Sequence, residues 1–131
     1  MPIDYRIFAD LKLVVAKGSG RVTGAEVLQH LKQLAGDPQY VAPMKKFVDY
    51  RSIDDLTISP EEAREIAARK KELAVAFHNE LCAFVSPGDV PFGLSRVHQS
   101  LLDTADINTG VFRRVDEAWE WLGFAGDPTA S

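Results

Sequence analysis

The stretch Lys46–Glu62, KFVDYRSIDDLTISPEE, decides the fold. Phe47 to Tyr50 read as a buried strand, because aromatic and β-branched residues fill a pleated surface well. A polar loop follows. Ser59-Pro60-Glu61-Glu62 then opens a helix. The Ser59 hydroxyl can accept from the Glu62 amide while the Glu62 carboxylate reaches back to the Ser59 amide. Pro60 takes the first helical position, where a missing N–H is no loss. A strand, a loop and a capped helix in this order belong at the middle of an α/β sheet.

Working outward, Tyr5 to Phe8 and Leu11 to Ala16 read as an antiparallel hairpin turning at Ala9-Asp10 and ending at Gly18-Ser19-Gly20. Thr23-Gly24-Ala25-Glu26 is a second capping box. Its helix shows Val27, Leu28, Leu31, Leu34 and Ala35 on one face and stops at Gly36-Asp37-Pro38. The Ser59 helix is expected to run to about Phe77, with Ala63, Ile66, Ala67, Leu73, Ala74 and Phe77 as its stripe. Early glutamates and late Arg69, Lys70 and Lys71 suit its dipole. Leu81 to Val85 is an apolar run typical of a strand covered on both faces. A third helix carries Leu94, Val97, Leu101 and Leu102. Ile107 to Phe112 is the last strand, and Asp116 to Leu122 a fourth helix.

The expectation is one α/β domain over residues 1–124 with a small polar tail, 125–131, read as disordered. Its sheet is mixed and mostly parallel, of about five strands, with an N-terminal antiparallel hairpin and four flanking helices.

Composition narrows the function classes. In 131 residues, 15 basic side chains stand against 19 acidic ones, with no basic stripe, which argues against nucleic acid. A single cysteine, Cys82, rules out an internal disulfide and points to a reducing, cytoplasmic setting. The N-terminus lacks the basic-then-apolar pattern of a signal peptide, and no apolar run approaches the roughly 20 residues of a membrane span.

The order of elements resembles the STAS domain, and within it the bacterial SpoIIAA-like branch, a fold related to lipid-carrying CRAL-TRIO domains. The residues that carry the likeness are Gly20-Arg21-Val22-Thr23, Phe47-Val48-Asp49, and Val111-Phe112-Arg113 followed by Glu117-Ala118-Trp119-Glu120-Trp121-Leu122. The resemblance implies a small cytosolic, regulatory or protein-binding module and no catalyst. In anti-sigma-factor antagonists a serine at the start of the helix after the central strand is phosphorylated, and Ser59 sits at a similar place. Here Thr57-Ile58-Ser59-Pro60 replaces the Asp-Ser-Ser-Gly type of motif, and Glu61 and Glu62 would repel a phosphate, so a cap is the favoured role for Ser59.

Ligands of α/β sheets gather at the C-terminal ends of parallel strands. That edge offers Tyr50 and Arg51, then Phe92, Gly93 and Arg96 at the start of the third helix. These five are the candidate contacts for a small anionic or amphipathic ligand, in a cavity expected among Phe47, Phe77, Phe84, Phe92 and Leu94. An enzyme would need Asp49, Arg51 and Arg96 to converge in one cleft. Asp49, Asp54 and Asp55 read as turn and capping residues. Lys70 falls inside an apolar stripe and is expected to snorkel past the sheet edge, with a pocket or a partner as the alternative. His98 reads as a core histidine. His78, Cys82 and His30 share no face, so no metal site is expected, and no cofactor. Trp121 lies away from Trp119 and Leu122 and is the candidate interface residue, for a protein partner or a homodimer.

Overall fold

A computed structural model describes residues 3–73, 79–86 and 107–130. The strands are β1 (Ile3–Phe8), β2 (Leu13–Thr23), β3 (Lys45–Thr57), β4 (Glu80–Val85) and β5 (Ile107–Phe112). The helices are α1 (Gly24–Ala35), α2 (Pro60–Glu72) and α3 (Val115–Trp121). The expected helix around Leu94 to Leu102 lies outside the described residues.

The five strands lie in the order β1-β2-β3-β4-β5. β1 pairs antiparallel with β2, and every other pair is parallel. β3 is therefore the middle strand, and the quoted stretch sits where its pattern places it. The mixed sheet with its N-terminal antiparallel pair is the architecture expected from the sequence. Both capping boxes are formed. Glu62 N donates to Ser59 Oγ at 3.1 Å and Ser59 N to Glu62 Oε1 at 2.9 Å. Thr23 and Glu26 make the same reciprocal pair.

Four boundaries differ from the sequence reading. The hairpin turns through a 3-10 turn at Ala9–Leu11, with Lys12 left-handed at φ 48°. Gly18-Ser19-Gly20 does not end β2. The register shifts between Lys17 and Ser19 and between Gly20 and Arg21, each time with one extra residue on β3, and the strand runs on to Thr23. The supposed loop after Tyr50 is strand as well, because that extension of β2 pairs with it, Arg21 beside Asp55 and Val22 beside Leu56. Ile3, Val22 and Leu56 bury against one another there, which anchors an otherwise polar run. Finally, α2 stops at Glu72 with Leu73 as its C-cap, short of Phe77.

Side-chain alternation divides the sheet into two faces. On one, α1 and α2 pack over Val14, joined by Leu31, Leu34, Tyr40, Met44, Ile66 and Ala67. On the other, α3 packs over Leu13, Phe47, Ala83 and Val85. There the Phe47 and Trp119 rings stack with centroids 3.9 Å apart and 4° between planes. Among the described residues no helix is long and apolar enough to cross a membrane. The tail carries an Asp127 turn, in which Thr129 N donates to Asp127 Oδ1 at 2.8 Å.

Candidate functional site: a cavity with a buried charged cluster

The face under α1 and α2 is not uniformly apolar. Lys46 and Glu80 occupy inward positions of β3 and β4, in step with Val48 and Tyr50 and with Cys82 and Phe84. His30 and Lys70 descend onto them from the helices. All four are buried, and Lys70 and Glu80 are 1% and 0% exposed. Lys70 Nζ pairs with Glu80 Oε1 at 2.7 Å. Tyr40 donates its hydroxyl to Glu80 Oε2 at 2.9 Å. Lys46 Nζ lies 2.6 Å from His30 Nε2.

The electrostatics follow from burial plus this pairing. Burial alone would raise the Glu80 carboxyl, but Lys70 and Lys46, with the Lys70 and Tyr40 hydrogen bonds, hold it below the ordinary range. Burial alone would lower Lys70, and the Glu80 charge outweighs it, leaving Lys70 firmly protonated. Lys46 differs. Burial dominates there, against a weaker pull from Glu80, and its ammonium is lowered to about 8. His30 is driven down to about 2 by burial and by the Lys46 and Lys70 charges, so it is neutral. Burial raises Cys82 to about 11, which makes it an inert thiol.

Lys46, Lys70 and His30 line a cavity of about 60 Å³. The rest of its wall is mostly apolar, with Ile3, Val27, Leu56, Ile66 and Phe84 among its members and Tyr50 at its side. Such a space, apolar with a few convergent polar groups, is the usual form of a small-molecule site.

The sequence candidates distribute as follows. Tyr50 is in the cavity wall, between Phe84 and Gly18, where a Cβ would meet the Tyr50 ring at 2.9 Å. Its hydroxyl is pushed above the usual phenol range by burial. Arg51 is not beside it. One residue along a strand reverses the face, and Arg51 instead clamps Asp49, Nε to Oδ1 at 3.0 Å and Nη2 to Oδ2 at 2.9 Å. Although burial opposes it, this clamp holds the Asp49 carboxyl below its usual range. Phe92, Gly93 and Arg96 lie outside the described residues, as do Phe77, His78, Leu94 and His98. Phe47 is not in the cavity, since it stacks on Trp119 on the opposite face. Asp55 accepts from the Thr57 hydroxyl at 2.9 Å on the surface. Ser59 is exposed, with its hydroxyl accepting the Glu62 amide. Trp121 is 38% exposed, its ring 5.6 Å from that of Phe112. Among the described residues no three of His, Cys, Asp and Glu gather as metal ligands.

Lys70 does not snorkel; it turns inward because Glu80 provides a counter-charge that the sequence reading had not singled out. The missed residues are His30, Lys46 and Glu80. Their signal was a polar side chain at an inward position. His30 completes the set Val27, Leu31, Leu34 at helical spacing, as Lys70 completes Ala63, Ile66, Ala67.

No family model matches the chain, and no curated protein matches it. Among solved structures it is similar to an uncharacterised protein from Shewanella loihica, of the DUF3478 family with a SpoIIAA-like fold. The two are 17% identical, the TM-score is 0.57, and the match covers 92% of this chain and 93% of that one. The fold is SpoIIAA-like. At this identity the likeness extends to architecture alone, so any role for the cavity rests on this chain's own side chains.

Proposed function

We propose that this chain is a non-enzymatic SpoIIAA-like module of the cytoplasm that binds a small amphipathic ligand in the cavity between the sheet and helices α1 and α2. One observation carries the reading. The cavity wall is mostly apolar yet contains Lys46, a buried ammonium that forms no ion pair with any described carboxylate. An unmatched interior charge is expensive to maintain without a use. Native mass spectrometry of freshly purified protein tests the reading. The expected result is a retained small-molecule mass that disappears when Ala63, in the cavity wall, is replaced by Leu to fill the space. A wild-type spectrum free of ligand, with no thermal shift across a panel of small amphiphiles, would refute it.

A second reading, a module for protein interaction or regulation, is favoured by Trp121, a large aromatic left partly exposed beside the edge strand β5. Its test is the sedimentation of wild type against Trp121→Ser, alone and with cell extract fractions. Indistinguishable behaviour in every fraction would remove it.

A further inference from the structure

The charge count of the buried cluster at the cavity narrows the ligand class. Two lysines, one glutamate and one neutral histidine leave a single positive charge. Lys70 and Tyr40 already occupy the two Glu80 oxygens. Among the described residues Lys46 therefore has only a neutral imidazole as its close partner. Its ammonium donates to His30 Nε2, so the imidazole proton sits on Nδ1, which is buried with no hydrogen-bond partner. The ammonium thus has one neutral acceptor for its three N–H groups, and the Nδ1 N–H beside it has none among the described residues.

The complementary group is a monoanion. A dianionic phosphate or sulfate would overcompensate the excess charge and bury a new one. The apolar lining from Ile3, Val27, Leu56 and Ile66 requires an alkyl portion, which excludes a bare halide. Size sets the last limit. A cavity of about 60 Å³ is under half the roughly 150 Å³ of an apolar cavity that accepts benzene.

We infer that the cavity is a site for a small aliphatic monocarboxylate, of acetate to propionate size, with its carboxylate on Lys46 and its alkyl end against the apolar wall. This rests on the cavity-binding reading above and sharpens it from any small amphiphile to one charge type and one size range. Lys46 and His30 become the specificity residues. Lys70 becomes a positioning residue that keeps Glu80 from competing for Lys46.

Isothermal titration with sodium propionate, 1-propanol, propylamine and sodium octanoate tests it. Propionate is expected to bind wild type about ten- to a hundredfold more tightly than 1-propanol, the value of a hydrogen bond to a charged group. Propylamine and octanoate are expected not to bind, the first by charge and the second by size. Lys46→Met is expected to abolish the preference for propionate over 1-propanol while 1-propanol binding persists, and Lys46→Arg to retain part of the preference. Ala63→Leu should remove both ligands. Equal binding of propionate and 1-propanol, unchanged in Lys46→Met, would overturn the monocarboxylate assignment and leave the cavity reading intact. Absence of binding by all four ligands would overturn both.

Discussion

Lys46 Nζ and His30 Nε2 are 2.6 Å apart in the interior, where the lysine donates and the histidine must be neutral. The pair links the middle strand to α1 and sets the protonation state of both groups. Its consequences can be read in stability as well as in binding.

Lys46→Met is expected to make the ligand-free protein more stable. The folded-state ammonium is lowered from 10.5 to about 8, so it opposes folding wherever the unfolded chain carries the proton. That penalty is fully present below pH 8, fades between pH 8 and 10.5, and vanishes above. Urea denaturation at pH 7 should show the variant about 2 kcal/mol more stable, with the gap closing toward pH 10.5. Above pH 9 the raised Cys82 thiol weakens both folds, and more so in the variant, which lacks the Lys46 charge that lowers it.

Histidine titration predicts the acid limb. His30 falls from 6.5 in the unfolded chain to about 2 in the fold. Its contribution is complete above pH 6.5 and is lost as the pH falls below that value, because only the unfolded chain takes up the proton. Wild type should lose about 1.4 kcal/mol per pH unit from pH 6 downward. His30→Leu should stay nearly level to about pH 4.5, where the carboxylates begin to titrate. Parallel curves for the two proteins would contradict the assignment.

Glu80 neutralises a buried lysine, so its removal is expected to be severe. Glu80→Gln should destabilise by about 3–5 kcal/mol, the usual result of stripping one partner from a buried pair. The double variant Lys70→Met with Glu80→Leu should recover most of that loss, since it removes both charges at once. Thermal unfolding of the two variants beside wild type checks the recovery.

Gly18 is held by the Tyr50 ring. An added Cβ would sit 2.9 Å from Tyr50 Cδ1 and 3.0 Å from Ile53 Cδ1. Gly18→Ala should cost about 1–3 kcal/mol, as overpacking does. By displacing a cavity-wall ring it should also weaken ligand binding. A wild-type melting curve and wild-type affinity would show that the ring moves freely.

Ser59 separates capping from signalling. Ser59→Ala should lose about 1 kcal/mol and Ser59→Asp almost nothing, because aspartate caps as well as serine. The reverse order in urea denaturation would mean that the hydroxyl has a role beyond the Glu62 amide.

The sequence by itself determined the strand and helix order, both capping boxes and the central place of Phe47–Tyr50. These are local effects, governed by side-chain period and by hydrogen bonds between residues three apart. It also carried the inward positions of His30, Lys46, Lys70 and Glu80, because each falls on an apolar period. It did not show that they meet, since Lys70 and Glu80 lie on different elements and pair only when α2 docks on the sheet. For Lys70 alone, snorkelling was the cheaper solution, and only the Glu80 counter-charge reversed it. The polar run Arg51 to Thr57 became strand for the same reason: its backbone partners come from β2, some 30 residues earlier in the chain. Tyr50 and Arg51, adjacent in sequence, ended on opposite faces because a strand reverses side with every residue. Tertiary packing placed Tyr50 in the cavity wall, while Arg51 clamps Asp49, two residues back on its own strand. The Lys46–Glu62 stretch thus encodes the middle of the sheet locally and supplies Lys46, while the surroundings that leave its charge unmatched are brought to it from α1, α2 and β4.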